Sequence, residues 1–252
     1  MSNGPQYITF MKHLPWLLLA LLPFGSFSQD STVTIASLAS TFNFQTDTLS
    51  GTCFIVNEAG KEYVFTAGHL FRKSVKTGDE VTVEILVEDK LQTFTGVIFF
   101  HDQKTVDVAL LKFSKPIGQW HGIPLGKSPL RFAQPVFFYG FPLRNFGTEV
   151  AGKIKFPLVK KAILSGGIKY LGVDVLVLDG HNNKGFSGGP VIAYDSNYKT
   201  GCVIGVVSGY LIESRKISNQ RGEPLDLEID ENSGIILCYG TKYLQEIISK
   251  AK

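Results

Sequence analysis

HNNKGFSGGPVI, residues 181–192, holds one serine among three glycines, with a proline close behind. Glycine weakens helix interiors and strands alike, so Gly185-Phe186-Ser187-Gly188-Gly189 reads as a turn. The residues after that turn decide the fold. PVIAYD (190–195) is a short apolar run, which reads as a strand and not as a helix. Ser187 is therefore presented on a turn that feeds a strand, and the chain has to be searched for further strands on either side.

They are found on both sides. GTCFIV (51–56), the turn NEAG and KEYVFTA (61–67) read as a hairpin, and EVTVEILV (80–87) alternates polar and apolar with period two. LQTFTGVIFF (91–100) and VDVALLKF (106–113) follow, and IGQWHGIPLGKSP (117–129) has the glycine and proline of a linker. Beyond it come QPVFFYG (134–140), a long stretch from Glu149 to Leu164, VDVLVL (173–178), PVIAYD, CVIGVVS (202–208) and GIILCY (234–239). About a dozen strands in two groups of similar size predict an all-β fold of two small antiparallel barrels or sandwiches. The expected division is residues 29–123 and 124–252. Thr241 is expected to cap a short C-terminal helix, KYLQEIISKAK, with Leu244, Ile247 and Ile248 on one face. Residues 211–233, with three basic and six acidic side chains, read as a long polar loop between the last two strands.

The 252 residues are 44% hydrophobic and 19% charged, an ordinary globular balance. A formal charge of +3 is too small to argue for nucleic acid or anionic lipid as a partner. The N-terminus reads as an export signal: Lys12 and His13 precede the apolar run LPWLLLALLPF, and small residues in GSFSQ offer a cleavage site after Ser28. A start at Met11 would give the usual form of such a segment. The run is short for a membrane span, which needs ~20 residues, so a cleaved signal is expected over a retained anchor. Removing residues 1–28 removes one basic group, Lys12, and lowers the formal charge from +3 to +2. The three cysteines, Cys53, Cys202 and Cys238, all sit in apolar runs, which suits small buried hydrophobes. If any pair bonds, Cys202 and Cys238 on two late strands are the pair to expect. No CxxC or HExxH is present, and no metal or cofactor is expected.

A serine hydroxyl is a weak nucleophile until a base takes its proton. Attack on a carbonyl builds negative charge on oxygen, which backbone N–H groups can hold, and glycines let the backbone aim them. Chain order then separates the arrangements of serine, histidine and acid. The nucleophile elbow of α/β-hydrolases needs a helix after the serine and a histidine later in the chain. The histidines are at 13, 69, 101, 121 and 181, and none follows Ser187. The subtilisin order needs an acid before the histidine, for which Asp30 or Asp47 would have to serve, and a strand after Ser187 argues against it. The order histidine, acid, serine remains. His69 ends an apolar strand in FTAGHLF, with Ala67 and Gly68 making room around it. Asp107 stands in VDVALLKF, where an acid is costly unless paired, and a histidine N–H would pair it. Asp102, in HDQK, reads as an exposed turn. His101 and His121 read as surface or structural groups, and His181 lies on the approach to Ser187.

TAGH, DVALL and GFSGGP, in that order, resemble the three motif blocks of chymotrypsin-like serine proteases, in the style of bacterial protease domains of the HtrA/Deg group without a PDZ domain. The resemblance spans about residues 45–250. It implies two antiparallel β-barrels with the site between them, polypeptide substrates and no cofactor. It makes His69 the general base, Asp107 its orienting partner and Ser187 the nucleophile, with the N–H groups of Gly185 and Ser187 as the oxyanion hole. It places Ser208, Gly209 and Tyr210 along the substrate backbone and His181, near Lys184, at the base of the specificity pocket. An acid there would suit Lys or Arg substrates, so cleavage after neutral side chains is expected instead, with Asp179 the acid that a shifted loop would supply. Leu70 stands where many animal members have a cysteine, and Phe186 where zymogen-activated members have an acid. Two rival classes share these residues: a protease-like binding protein that has lost catalysis, and an esterase.

Overall fold

The computed structural model describes residues 33–46, 49–71, 75–118, 122–142, 147–150, 154–197 and 200–251. The export segment, His121, Asp30 and Asp47 lie outside them. A short helix, α1 (Ile35–Ala39), comes first. Thr34 and Ser37 cap it reciprocally, each side-chain oxygen accepting the other's backbone N–H at 3.1 Å. The first group of strands is β1 (Thr41–Gln45), β2 (Ser50–Glu58), β3 (Lys61–Thr66), β4 (Glu80–Val87), β5 (Lys90–Phe100), β6 (Ala109–Phe113) and the two-residue β7 (Ile123–Pro124). Their order is β1-β4-β5-β6-β3-β2-β7, and β1 also pairs with β2, so six strands close into a ring with β7 outside it.

The second group is β8 (Pro135–Gly140), β9 (Thr148–Val150), β10 (Ile154–Phe156), β11 (Leu158–Tyr170), β12 (Val173–Asp179), β13 (Pro190–Asp195), β14 (Thr200–Ser218) and β15 (Pro224–Gly240). β9 and β10 form a separate hairpin, and the other six close a barrel in the order β11-β12-β15-β14-β13-β8. The helix α2 (Thr241–Lys250) follows β15. The fold is thus all-β with two barrel-like sheets and a C-terminal helix. The expected boundary between residues 123 and 124 falls inside β7, which pairs with β2, and Leu125 then bridges to Val203 of the second barrel.

Three apolar cores explain why the strands read as continuous hydrophobic runs. Successive side chains of a strand point to opposite faces. In β2, Cys53 and Ile55 enter the core of the first barrel, while Phe54 and Val56 face a second core shared by both barrels and α2. β14 behaves alike: Ile204 and Val207 fill the second barrel, and Val203 and Val206 face the shared core. Tyr243, Leu244, Ile247 and Ile248 of α2 complete the shared core. Strands buried on both faces lose the polar alternation that a one-sided sheet shows.

Several expectations need correction. The helix cap is Gly240 and not Thr241, whose side chain makes no capping bond. The segment 211–233 is no loop: β14 and β15 run on past the barrel as a two-stranded ribbon, paired from Ile212↔Asn232 to Ser218↔Pro224. Asp107 lies two residues before β6 and not inside a strand. α1 and β1 were not foreseen. The three cysteines are buried free thiols, as their apolar runs suggest, and the conditional Cys202–Cys238 pair is not bonded.

Candidate active site

β3 ends at Thr66, and Ala67 leads into a single 3-10 turn, Gly68–Leu70, that carries His69. Asp107 approaches from the connection between β5 and β6. Its Oδ1 accepts from the His69 backbone N–H at 2.6 Å, and its Oδ2 lies 2.7 Å from His69 Nδ1. Ser208 Oγ donates to the same Oδ2 at 2.6 Å. Asp107 is 9% exposed. Burial alone would push its carboxyl up, but the bonds from His69 and Ser208 outweigh it and hold the group below the ordinary carboxylate range. An ionised Asp107 favours the Nδ1–H tautomer of His69 and leaves the Nε2 lone pair free. The ring keeps 45% of its surface open, so this nitrogen can meet a substrate.

Ser187 belongs to a loop pinned by both barrels. Phe186 N donates to Asn183 O at 3.2 Å, closing a turn whose third residue, Gly185, has φ +101°. Positive φ at that position is the mark of a type II turn and demands glycine. A Cβ on Gly185 would also lie 2.3 Å from Phe141 O. Gly188, at φ +83°, packs so closely that a Cβ would lie 2.2 Å from Thr52 O. The Gly-x-Ser-Gly-Gly pattern thus comes from close backbone approach. Of the five N–H groups from Gly185 to Gly189, those of Phe186, Gly188 and Gly189 bond to Asn183 O, Val207 O and Phe186 O. The two with no protein acceptor among the described residues are those of Gly185 and Ser187.

Thr52 locks this loop from the first barrel. Its N–H donates to Ser187 O at 2.9 Å and its hydroxyl to Gly185 O at 2.7 Å, while Phe141 N donates to that hydroxyl at 3.1 Å. On the other side, the β14–β15 register slips between Val207 and Gly209, so Ser208 sits on a bulge. A bulge re-aims its residue. The Ser208 hydroxyl reaches Asp107, and the Ser208 carbonyl accepts the Ser187 hydroxyl at 3.0 Å. β13 pairs with β14 as far as Val206, and the edge of β14 from Ser208 to Tyr210 carries no strand among the described residues.

Beside this edge lies a cavity of about 460 Å3, lined by His181, Asn182, Lys184, Leu158, Tyr210 and Asn232 among others, with no carboxylate in its wall among the described residues. Asp179 is elsewhere, at the end of β12, exposed and paired with Ile163 and Ile235. Asn232 Nδ2 donates to Asn182 O at 2.6 Å, so the base of the ribbon helps shape the cavity. His101 is buried against α2, where its Nε2 meets Glu246 at 2.5 Å and its ring stands edge-on to Tyr243. Asp102 pairs with Lys250. Thr52 and the Ser208 hydroxyl were missed from the sequence, where each is one small polar residue in an apolar strand.

A family model described as a trypsin-like peptidase domain matches residues 51–206. Comparison with curated proteins gives no significant match. Among solved structures, the active form of the Rv3671c protease from M. tuberculosis is 20% identical, with a TM-score of 0.56 over 85% of this chain and 82% of that one. A serine-to-alanine variant of Rv3671c from M. tuberculosis H37Rv, in an inactive form, is 21% identical, with a TM-score of 0.56 over 85% of this chain and 87% of that one. The protease domain of MamO from Magnetospirillum magneticum, in its apo form, is 15% identical, with a TM-score of 0.53 over 87% of this chain and all of that one. At these identities the likeness speaks for the fold.

Proposed function

Because the chain belongs to the family of trypsin-like peptidase domains, we propose that it is an exported serine endopeptidase in which His69, Asp107 and Ser187 act together. The observation that carries this reading is the pair of unspent N–H groups, Gly185 and Ser187, on either side of Phe186 in the loop that presents the serine hydroxyl. A peptide pairs along Ser208–Tyr210 and competes for the Ser208 carbonyl that holds the Ser187 hydroxyl. Ser187 Oγ attacks the scissile carbonyl carbon as His69 Nε2 takes its proton, and the carbonyl oxygen becomes an oxyanion facing the two N–H groups. Collapse breaks the C–N bond, and the proton passes from His69 to the departing amine. Water repeats the sequence on the acyl-enzyme and returns Ser187. Removal of residues 1–28 on export takes away none of the elements from α1 to α2.

One observation favours the rival reading of a silent, protease-like binding protein: the Ser187 hydroxyl rests on Ser208 O. Treating the purified chain from residue 29 with a fluorophosphonate probe decides between them. The expected result is a covalent adduct on Ser187 and turnover of peptides, with Arg-ended substrates poorer than Ala-, Leu- or Phe-ended ones, since no carboxylate among the described residues lines the cavity to pair a guanidinium. An unlabelled, folded protein with no turnover would establish the binding protein. Turnover of short esters with none of peptides would establish the esterase.

A further inference from the structure

The turn that carries the two unspent N–H groups has a close alternative. Turning over the single peptide between Lys184 and Gly185 converts Asn183–Phe186 to a type I turn and puts the Lys184 carbonyl where the Gly185 N–H had pointed. Glycine accepts either form, so Gly185 does not choose between them. Thr52 grips the Gly185 carbonyl from one side. The other grip comes from β11.

We infer that Lys160 is a positioning residue for this turn: its ammonium ties the first residue, Asn183, to the last, Phe186, and so holds the Gly185 N–H toward the substrate. Lys160 Nζ donates to His181 O at 2.8 Å and to Asn183 Oδ1, and it stands 5.1 Å from the centre of the Phe186 ring. Asn183 is held again by its own N–H, which donates to Asn182 Oδ1 at 2.8 Å, and by its carbonyl, which accepts from Phe186. Phe186 is 0% exposed and packs edge-on to Phe138 at 5.2 Å. Gly140 lies so close beneath it that a Cβ there would touch the Phe186 ring at 2.5 Å. Phe138 is the residue paired with Lys160 across β8 and β11, so strand register sets the ammonium over the ring.

Partial burial disfavours the charge on Lys160 and lowers its pKa. No carboxylate pairs with it among the described residues. Two amide oxygens and an aromatic face offset that cost instead.

The inference rests on the proteolytic reading of Ser187, and the test separates the two. Wild type, Lys160→Met, Lys160→Arg and, as a control for lost charge, Lys161→Met on the exposed face of the same strand are compared as mature proteins. The readouts are kcat and KM on a peptide, the rate of fluorophosphonate labelling, and the Gly185 amide resonance in nitrogen-15-labelled protein. If Lys160→Met leaves the turn in its donating form in one molecule of ten, kcat and the labelling rate fall about tenfold while KM stays within about twofold. The Gly185 resonance moves with them, Lys160→Arg recovers most of the loss, and Lys161→Met behaves as wild type. Should Met leave the chain unfolded, Lys160→Gln takes its place with the same expectation. Wild-type kcat and an unmoved Gly185 amide in Lys160→Met would overturn the inference. A wild type that neither labels nor turns over removes the proteolytic reading, and the Gly185 resonance still reports whether Lys160 holds the turn.

Discussion

Asp107 collects three donors: the backbone N–H of His69, its Nδ1 and the hydroxyl of Ser208. That arrangement ranks the expected losses. Ser187→Ala or His69→Ala removes the attack or the base and lowers kcat/KM by roughly three or more powers of ten. Asp107→Asn costs nearly as much, because an amide NH2 turned toward His69 Nδ1 selects the wrong tautomer. Ser208→Ala removes one donor of three and is expected to cost about tenfold, on the scale of a hydrogen bond to a charged group. Steady-state kinetics on folded variants test the order, and Ser208→Ala as damaging as Asp107→Asn would assign Ser208 a larger part. His69, Asp107 and Ser187 could be singled out in the sequence because a strand after the serine and the lack of any later histidine leave only the order histidine, acid, serine. Thr52 and the Ser208 hydroxyl were not, because their meaning lies in contacts across 133 and 101 residues.

Among the elements, the ribbon made by the outer parts of β14 and β15 was misread for a physical reason. A ribbon that leaves the barrel buries nothing, so the apolar alternation that marks a strand gives way to acids, lysine and arginine. Leu225, Leu227 and Ile229 do alternate, but on an exposed face. A two-stranded ribbon by itself is marginal in water, so it adds little to the stability of the barrel that carries it. Replacing residues 214–230 by a tight turn is therefore expected to leave the melting temperature and short-peptide turnover near wild type while slowing cleavage of protein substrates. Loss of folding would make the ribbon structural. Asp195, where β13 ends, works the other way. Its carboxylate is 1% exposed and accepts from Lys127 N, Ser128 N, Ser128 Oγ and Asn197 N, tying the linker to the second barrel. Burial opposes ionisation there, but these donors hold its pKa far below the ordinary value. A depressed folded pKa gives stability that is present above the unfolded value and lost as pH falls below about 4. Acid unfolding should show that slope in wild type and a weaker one in Asp195→Asn, whose stability at neutral pH is already reduced. Equal slopes would remove Asp195 as the source.

At the scale of the whole molecule, the two barrels were legible as two groups of strands, but the layer between them was not. It is built from alternate residues of strands on both sides, and no single run of sequence shows it. α2 closes this layer, helped by the bond of His101 to Glu246 and of Lys112 Nζ to Ala251 O. The start of the described chain joins it too. Val33 and Leu38 pack on the shared core, and Ser37 Oγ lies 3.2 Å from Tyr139 Oη of the second barrel. β1 then closes the first ring between β4 and β2. These contacts bear on where the mature chain can begin: Phe186 offers no counter-ion to a freed N-terminal amine, so cleavage at one defined residue is not expected to be needed. Proteins that start anywhere from residue 29 to residue 33 are expected to share one melting temperature and one fraction of probe-titratable Ser187. Starting at residue 41 removes α1 and with it the Ser37–Tyr139 link, which should lower the melting temperature. Starting at residue 46 removes β1, opens the ring and exposes the partners of Phe42 and Phe44, which are buried in the first core. That protein is expected to lose most of its titratable sites. Activity confined to a single start between 29 and 33 would show that a defined terminus is needed after all, and full activity from residue 46 would show that β1 does not hold the barrel.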